Sequence, residues 1–205
     1  MIYINVQTMH KPYSESCDQN CGPILEVLRP VLGDKCSVLE IGSGTGQHAV
    51  AFAAAMPRPV WHTSDRRENH AGIRLWLKES GLDNVRLPFS LDVLHDIWPE
   101  MKFDAVFTAN TAHIMSWPAV EAMFDGVGKL LKTGGDFLIY GPFNYAGAYT
   151  SASNARFDEW LKTRDPLSGI RHFEALNELA SKAGLVLSKD HPMPANNRIL
   201  HWCKT

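Results

Sequence analysis

Residues 38–50 read Val38-Leu39-Glu40-Ile41-Gly42-Ser43-Gly44-Thr45-Gly46-Gln47-His48-Ala49-Val50, and they constrain the fold more than any other stretch. An apolar run ending in an acid suits a short buried strand. Three alternating glycines suit a tight turn, because glycine takes positive φ and lets backbone approach a neighbour or ligand closely. The alanine-rich residues beyond suit a helix, whose first turn leaves free N–H groups for polar or anionic ligand parts. The spacing is G-x-G-x-G. A dinucleotide fingerprint, G-x-G-x-x-G, needs its third glycine at position 47, where this chain has Gln47. A nicotinamide-dependent oxidoreductase is disfavoured on that ground.

The rest of the chain repeats the alternation of strand and helix. Apolar spacing predicts helices over 24–32, 47–56, 67–80, 117–131, 157–164 and 172–182. Compact apolar runs predict strands over 36–41, 59–63, 85–91, 103–109 and 136–140, with 185–189 and 198–204 as a closing antiparallel pair. Pro88 marks the third strand as an edge or a bulge. Residues 144–154 are small, polar and aromatic, the composition of a functional loop. This order implies an α/β, doubly wound, mostly parallel sheet. The 205 residues fit one domain, 1–205, with 1–22 as an N-terminal cap segment.

A net charge of −2 argues against a nucleic-acid surface and favours a small-molecule partner. No stretch reaches the ~20 apolar residues that span a bilayer. The start of the chain has neither a basic leader nor an apolar run. Cys17 and Cys21 have no second ligand pair at zinc-site spacing, and Cys36 and Cys203 fall in expected strands as small core residues. Reduced thiols in a cytoplasmic protein without a metal follow from this reading. The oligomeric state does not.

Doubly wound sheets bind ligands beyond the carboxyl ends of their strands. The polar residues expected there are Glu40, Asp65, Asp92, Asn110 and His113. Asp65 stands 19 residues after Gly46, near the ~20-residue offset at which an acid meets ribose hydroxyls; a helix N-cap is its other reading. Asp92 is either an N-cap or an acceptor for an adenine amino group, with Leu91 or Val93 against the ring. Asn110 offers donor and acceptor capacity at the end of the fourth strand. His113 is either structural or a base that titrates near neutrality. Tyr145, with Phe143 and Tyr149, either encloses a substrate or packs its loop. Arg171 either holds a substrate carboxylate or pairs with Asp165, and Asn196 and Asn197 lie in a polar turn.

An acid followed by three alternating glycines resembles the cofactor loop of S-adenosylmethionine-dependent methyltransferases. The resemblance implies their seven-stranded Rossmann-like sheet, with Glu40 toward the cofactor's cationic amine and Gly42, Ser43, Gly44 and Gly46 beneath it. Over nearly its whole length the chain is also similar to a methyltransferase-like family known as a domain of unknown function, found in bacteria and in animals as methyltransferase-like proteins. The segments that carry this include Asn20 with Pro23-Ile24-Leu25, Ser64-Asp65, Leu91-Asp92-Val93, Asn110 with His113-Ile114 and Tyr140-Gly141-Pro142-Phe143. They continue with Ser153-Asn154, Phe157-Asp158, Gly169-Ile170-Arg171 and Pro194-Ala195-Asn196-Asn197. Gln19 and Cys21 replace basic residues usual beside Asn20, and His172 replaces a commoner acid.

The implied activity is direct SN2 transfer of a methyl group from S-adenosylmethionine to a small-molecule acceptor, leaving S-adenosylhomocysteine. Asn110 and His113 are the candidate catalytic residues, and Tyr145, Arg171, Asn196 and Asn197 the substrate residues. A non-catalytic S-adenosylmethionine-binding protein acting through partners is the alternative, because Asn110-Thr111-Ala112-His113 carries no acceptor-specific signature.

Overall fold

Alternation along the central strands divides the apolar side chains between two layers, one on each face of a seven-stranded sheet. The computed structural model describes residues 11–205, so the first ten residues of the expected cap lie outside the described residues. The elements run α1 (Glu15–Leu32), β1 (Ser37–Ile41), α2 (Gln47–Ala55), β2 (Val60–Asp65), α3 (His70–Ser80), β3 (Val85–Ser90) and β4 (Phe103–Ala109). They continue with α4 (Trp117–Leu130), β5 (Leu131–Gly141), β6 (Phe143–Asn144), α5 (Ala152–Arg164), β7 (Arg171–His172), α6 (Phe173–Lys182), β8 (Leu185–Pro192) and β9 (Arg198–Lys204).

The sheet order is β3-β2-β1-β4-β5-β9-β8. The first five strands are parallel, and β9 is antiparallel to both its neighbours. Val38, Phe107, Leu138 and Tyr140 face one layer, built on Ile24, Leu28, Phe52 and Ile73 of α1–α3. Leu39, Val106, Phe137 and Ile139 face the other, with Phe124 of α4, Leu176 of α6 and Trp202. Strand order reverses between β1 and β4, which opens a crevice beyond their carboxyl ends.

Local chemistry moves several boundaries. α1 begins nine residues earlier than its apolar pattern, capped by Ser14, whose Oγ accepts from Cys17 N–H at 3.3 Å. Pro23 lies within that helix and does not end it, since burial of Ile24, Leu28 and Leu32 holds both halves in one direction. Residues 144–154 are not one long loop. Phe143–Asn144 pairs with Arg171–His172 in a small second sheet, and Ser151 caps α5 through Asn154 N–H at 3.1 Å. Phe143 is a core residue and not a substrate wall. Cys36 precedes β1 and is exposed, so it is not the small core residue expected. β3, with Pro88, is an edge strand, and its pairing with β2 shifts register between His62 and Ser64.

Candidate functional site

The three alternating glycines do different work. Gly42 has φ 70°, and a β-carbon there would lie 2.6 Å from the Thr111 methyl. Gly46 has φ 95°, and its β-carbon would lie 3.2 Å from both Ile73 Cα and Trp76 Cβ. These two allow the turn to pack against β4's end and against α3. Gly44, with φ 58°, would project its β-carbon into space where no atom of the described residues lies within 4 Å. Positive φ disfavours a side chain at all three, but only at Gly44 is the space left open.

Asp65 ends β2 and fixes the turn from the side. Its Oδ2 accepts from Gly44 N–H at 2.6 Å, and its Oδ1 from Arg66 N–H at 2.7 Å and Asn69 Nδ2 at 2.8 Å. An ionised carboxylate has about four acceptor positions, so capacity remains for one more donor. Glu40 lies under the turn, 1% exposed, with Oε2 accepting from Ser43 Oγ at 2.8 Å and Trp61 Nε1 at 3.2 Å. Burial pushes its carboxyl up to about 7, opposed by those two hydrogen bonds. Gln47, in place of the third dinucleotide glycine, ties the N-terminal segment over the turn. Its amide accepts from Ser14 N–H at 2.6 Å and donates to Ser14 C=O at 3.2 Å.

Asp92 follows β3 and accepts from Leu94 N–H at 2.9 Å, a turn contact, while Val93 is in the core. Asn110 follows β4 with φ 58° and donates its N–H to Tyr140 C=O at 2.9 Å. His113 is buried, edge-on to Phe157 with ring centroids 5.3 Å apart. Its Nδ1 would sit 3.6 Å from a β-carbon on Gly141. Burial, reinforced by the Arg171 cation, brings its imidazole down to about 4. The neutral-range titration expected for His113 is therefore absent, because a buried imidazolium loses its hydration.

Arg171 does not pair with Asp165. Its Nε donates to Ala112 C=O at 3.0 Å, and its Nη2 to Leu167 C=O at 2.8 Å and to Met115 C=O. Gly169 N–H adds a bond to His113 C=O at 2.9 Å, and Ser168 Oγ one to Ile114 C=O at 3.2 Å. The 167–171 segment thus holds the residues after β4 by their carbonyls. Asp158, absent from the sequence-based site, anchors that segment through Ile170 N–H at 2.6 Å, and also accepts from Tyr149 Oη at 2.7 Å and Lys162 Nζ at 2.6 Å.

Tyr145, Asn196 and Asn197 do come together, around a cavity of about 500 Å³. Thr150, Pro192, Met193 and Arg198 complete its wall; Asn110, His113 and Arg171 are not part of it. Among the described residues, the non-glycine positions with positive φ are Asn110, Ala146, Ala195 and Asn196. Asn110 follows β4, while the other three neighbour the cavity in sequence or line it. Backbone held in sparsely populated regions clusters where function over-determines it.

Across the strand ends runs a second polar chain. His48 Nε2 lies 2.6 Å from Asn20 Oδ1, and the Tyr140 hydroxyl lies beside the side chains of Asn20 and Asn197. Asn20 thus serves the polar interior between α1 and α2. Burial brings His48 down to about 4, so this chain is neutral near pH 7.

Residues 11–204 match the family described as "Protein of unknown function (DUF938)". Among solved structures, the chain is similar to an O-methyltransferase family protein from Burkholderia thailandensis, with TM-score 0.81 at 15% identity over 93% of this chain and 57% of that one. It is similar to an O-methyltransferase family 2 protein from Planctomyces limnophilus in complex with apigenin, with TM-score 0.80 at 17% identity over 93% and 60%. It also resembles an S-adenosylmethionine-dependent methyltransferase in its apo form, with TM-score 0.78 at 22% identity over 92% and 55%. The chain therefore spans little more than half the length of these structures. At such identities the likeness establishes the methyltransferase-type α/β fold.

Proposed function

This chain belongs to the DUF938 family, and from that premise we propose that it is an S-adenosylmethionine-dependent methyltransferase for a small-molecule acceptor. The observation that carries it is the open space at Gly44, bounded by two glycines whose own β-carbons would meet protein. The cradle suits a ligand without phosphates: the Glu40 carboxyl lies beneath the turn behind Ser43, and when ionised it would favour a cation over an anion.

Bound S-adenosylmethionine would supply an electrophilic methyl on sulfonium, so transfer requires alignment and at most one base. Gly42, Ser43, Gly44 and Gly46 form the bed, Glu40 faces the amine, and Asp65 uses its remaining acceptor capacity on a ribose hydroxyl. Asp92 and Val93 border the adenine side. Asn110, held in its left-handed conformation, orients the reacting end. His113 is neutral at physiological pH and positions the β4–β5 end of the site. The low basicity of His113 gives the second reading, binding without turnover, its footing.

Isotope-labelled S-adenosylmethionine, incubated with the protein and a library of small hydroxyl-, thiol- and amine-bearing acceptors, separates the two. Labelled product with stoichiometric S-adenosylhomocysteine supports the enzyme; tight binding with no product across nucleophile classes supports the second reading.

Asp65→Ala should weaken S-adenosylmethionine binding by ~1.5–3 kcal/mol, the range for hydrogen bonds to a charged group. Calorimetric titration reads this directly, and an unaltered affinity takes Asp65 out of the site. The Glu40 reading also predicts a pH dependence. Below about 7 the carboxyl is protonated and its attraction for an ammonium is lost. Affinity should therefore fall about 10-fold between pH 7.5 and pH 6, and Glu40→Gln should flatten the profile. A native profile flat over that window would detach Glu40 from the amine.

A further inference from the structure

We propose that the cavity beside Tyr145 is the acceptor site and that it selects acceptors bearing a carboxylate, with Arg198 as the residue that reads the anion. This rests on the methyltransferase reading and adds the substrate class.

Arg198 opens β9 and stands directly across from Gly141 at the end of β5. Gly141 in turn borders the His113 ring and follows Tyr140, whose carbonyl holds Asn110. From the glycine turn at β1 to Arg198 is three strand spacings, roughly 14 Å at ~4.8 Å each. A ligand seated on the turn and a second one against Arg198 would thus meet over the ends of β4 and β5.

The guanidinium is held in place from the protein side. Its Nε donates to Asp190 Oδ1 at 2.7 Å, while Asp190 Oδ2 accepts from the Tyr145 hydroxyl at 2.8 Å. Tyr145 is itself fixed by stacking on Phe173, with ring centroids 5.4 Å apart. A guanidinium has five N–H groups in a planar fork, so donors remain for a second carboxylate after Asp190 takes its share. Asp190 balances the Arg198 charge, which suits reversible binding of a monoanion better than of a dianion. Pro192, Met193 and the Tyr145 ring supply an apolar wall, and about 500 Å³ accommodates a small organic acid. Arg171 was the sequence-based candidate for this task, but its Nε and Nη2 donors are committed to backbone carbonyls.

The test uses the full chain with S-adenosylhomocysteine present, and titrates 4-hydroxybenzoate, its methyl ester and 4-hydroxyphenyl phosphate by calorimetry. The acid should bind at least 10-fold more tightly than the ester and the phosphate. Arg198→Gln should erase that preference while S-adenosylhomocysteine affinity stays within twofold. Because Arg198→Gln leaves Asp190 without its partner, the Arg198→Gln/Asp190→Asn double variant is measured alongside and should behave alike. Equal binding of acid and ester, preference for the phosphate, no binding of any probe, or a preference that survives in the double variant overturns the proposal. Loss of S-adenosylhomocysteine binding by the native chain would overturn the methyltransferase reading instead.

Discussion

Gly44→Val is expected to weaken S-adenosylmethionine binding by at least 100-fold while leaving a folded protein. Among the described residues the β-carbon at this position meets no atom within 4 Å, so the side chain enters the space assigned to the ligand. Positive φ adds a backbone penalty of ~1–2 kcal/mol for a non-glycine residue, less than the several kcal/mol of stability of an ordinary domain. Gly44→Asn supplies the control, since asparagine tolerates the left-handed region and fills the same space with little strain. Gly46→Ala should behave in the opposite way. Its β-carbon would press on α3 at 3.2 Å from Ile73 Cα, and φ is 95°, so the loss should register first in thermal unfolding. Full binding by folded Gly44→Val would mean that the glycines serve only the turn.

Glu40→Gln should stabilise the free protein at pH 8 by as much as about 3 kcal/mol, the reverse of what most core substitutions do. The folded carboxyl titrates at about 7, against an ordinary value of 4.5. A group raised on folding stabilises fully below its unfolded value, and that contribution is lost as pH rises through the folded one. At pH 8 the native chain therefore carries the whole cost of a buried charge. At roughly 1.4 kcal/mol per pH unit, the gap sets the ceiling. Glutamine keeps an oxygen that accepts from Ser43 Oγ and Trp61 Nε1 and has no charge to bury. Chemical denaturation at pH 8 and pH 5 should show the stabilisation at the first and little at the second. Such a residue is costly to the apo fold, and the cationic cofactor that we propose would offset its cost. Equal stability of variant and native protein at both pH values would show that Glu40 bears no burial penalty.

Much of this was legible from residues 38–50 and from the alternation after them, because buried parallel strands and amphipathic helices leave periodic traces. The positions of Asp65 at a strand end and of Tyr145 with Asn196 and Asn197 followed from the same pattern. What did not follow was set by contacts distant in sequence. Arg171 straps the carbonyls of residues 112–115 from nearly 60 positions away, and no local pattern distinguishes that from a ligand-binding arginine. The His113 imidazole is lowered by its burial and by the Arg171 cation, which lies far from it in the chain. The pairing of Phe143–Asn144 with Arg171–His172 is too short to show any period at all. Asp158, whose carboxylate organises the 167–171 segment, gave no sign beyond its place in the family-like Phe157-Asp158 pair.

Calorimetric titration of S-adenosylmethionine, S-adenosylhomocysteine and NAD into the native chain and Gly44→Asn separates sulfonium-cofactor binding from dinucleotide binding. One-to-one binding of the first two to the native chain, none of NAD, and loss of both in the variant are expected. Binding of NAD alone, or no heat from any of the three with folded native protein, would contradict it.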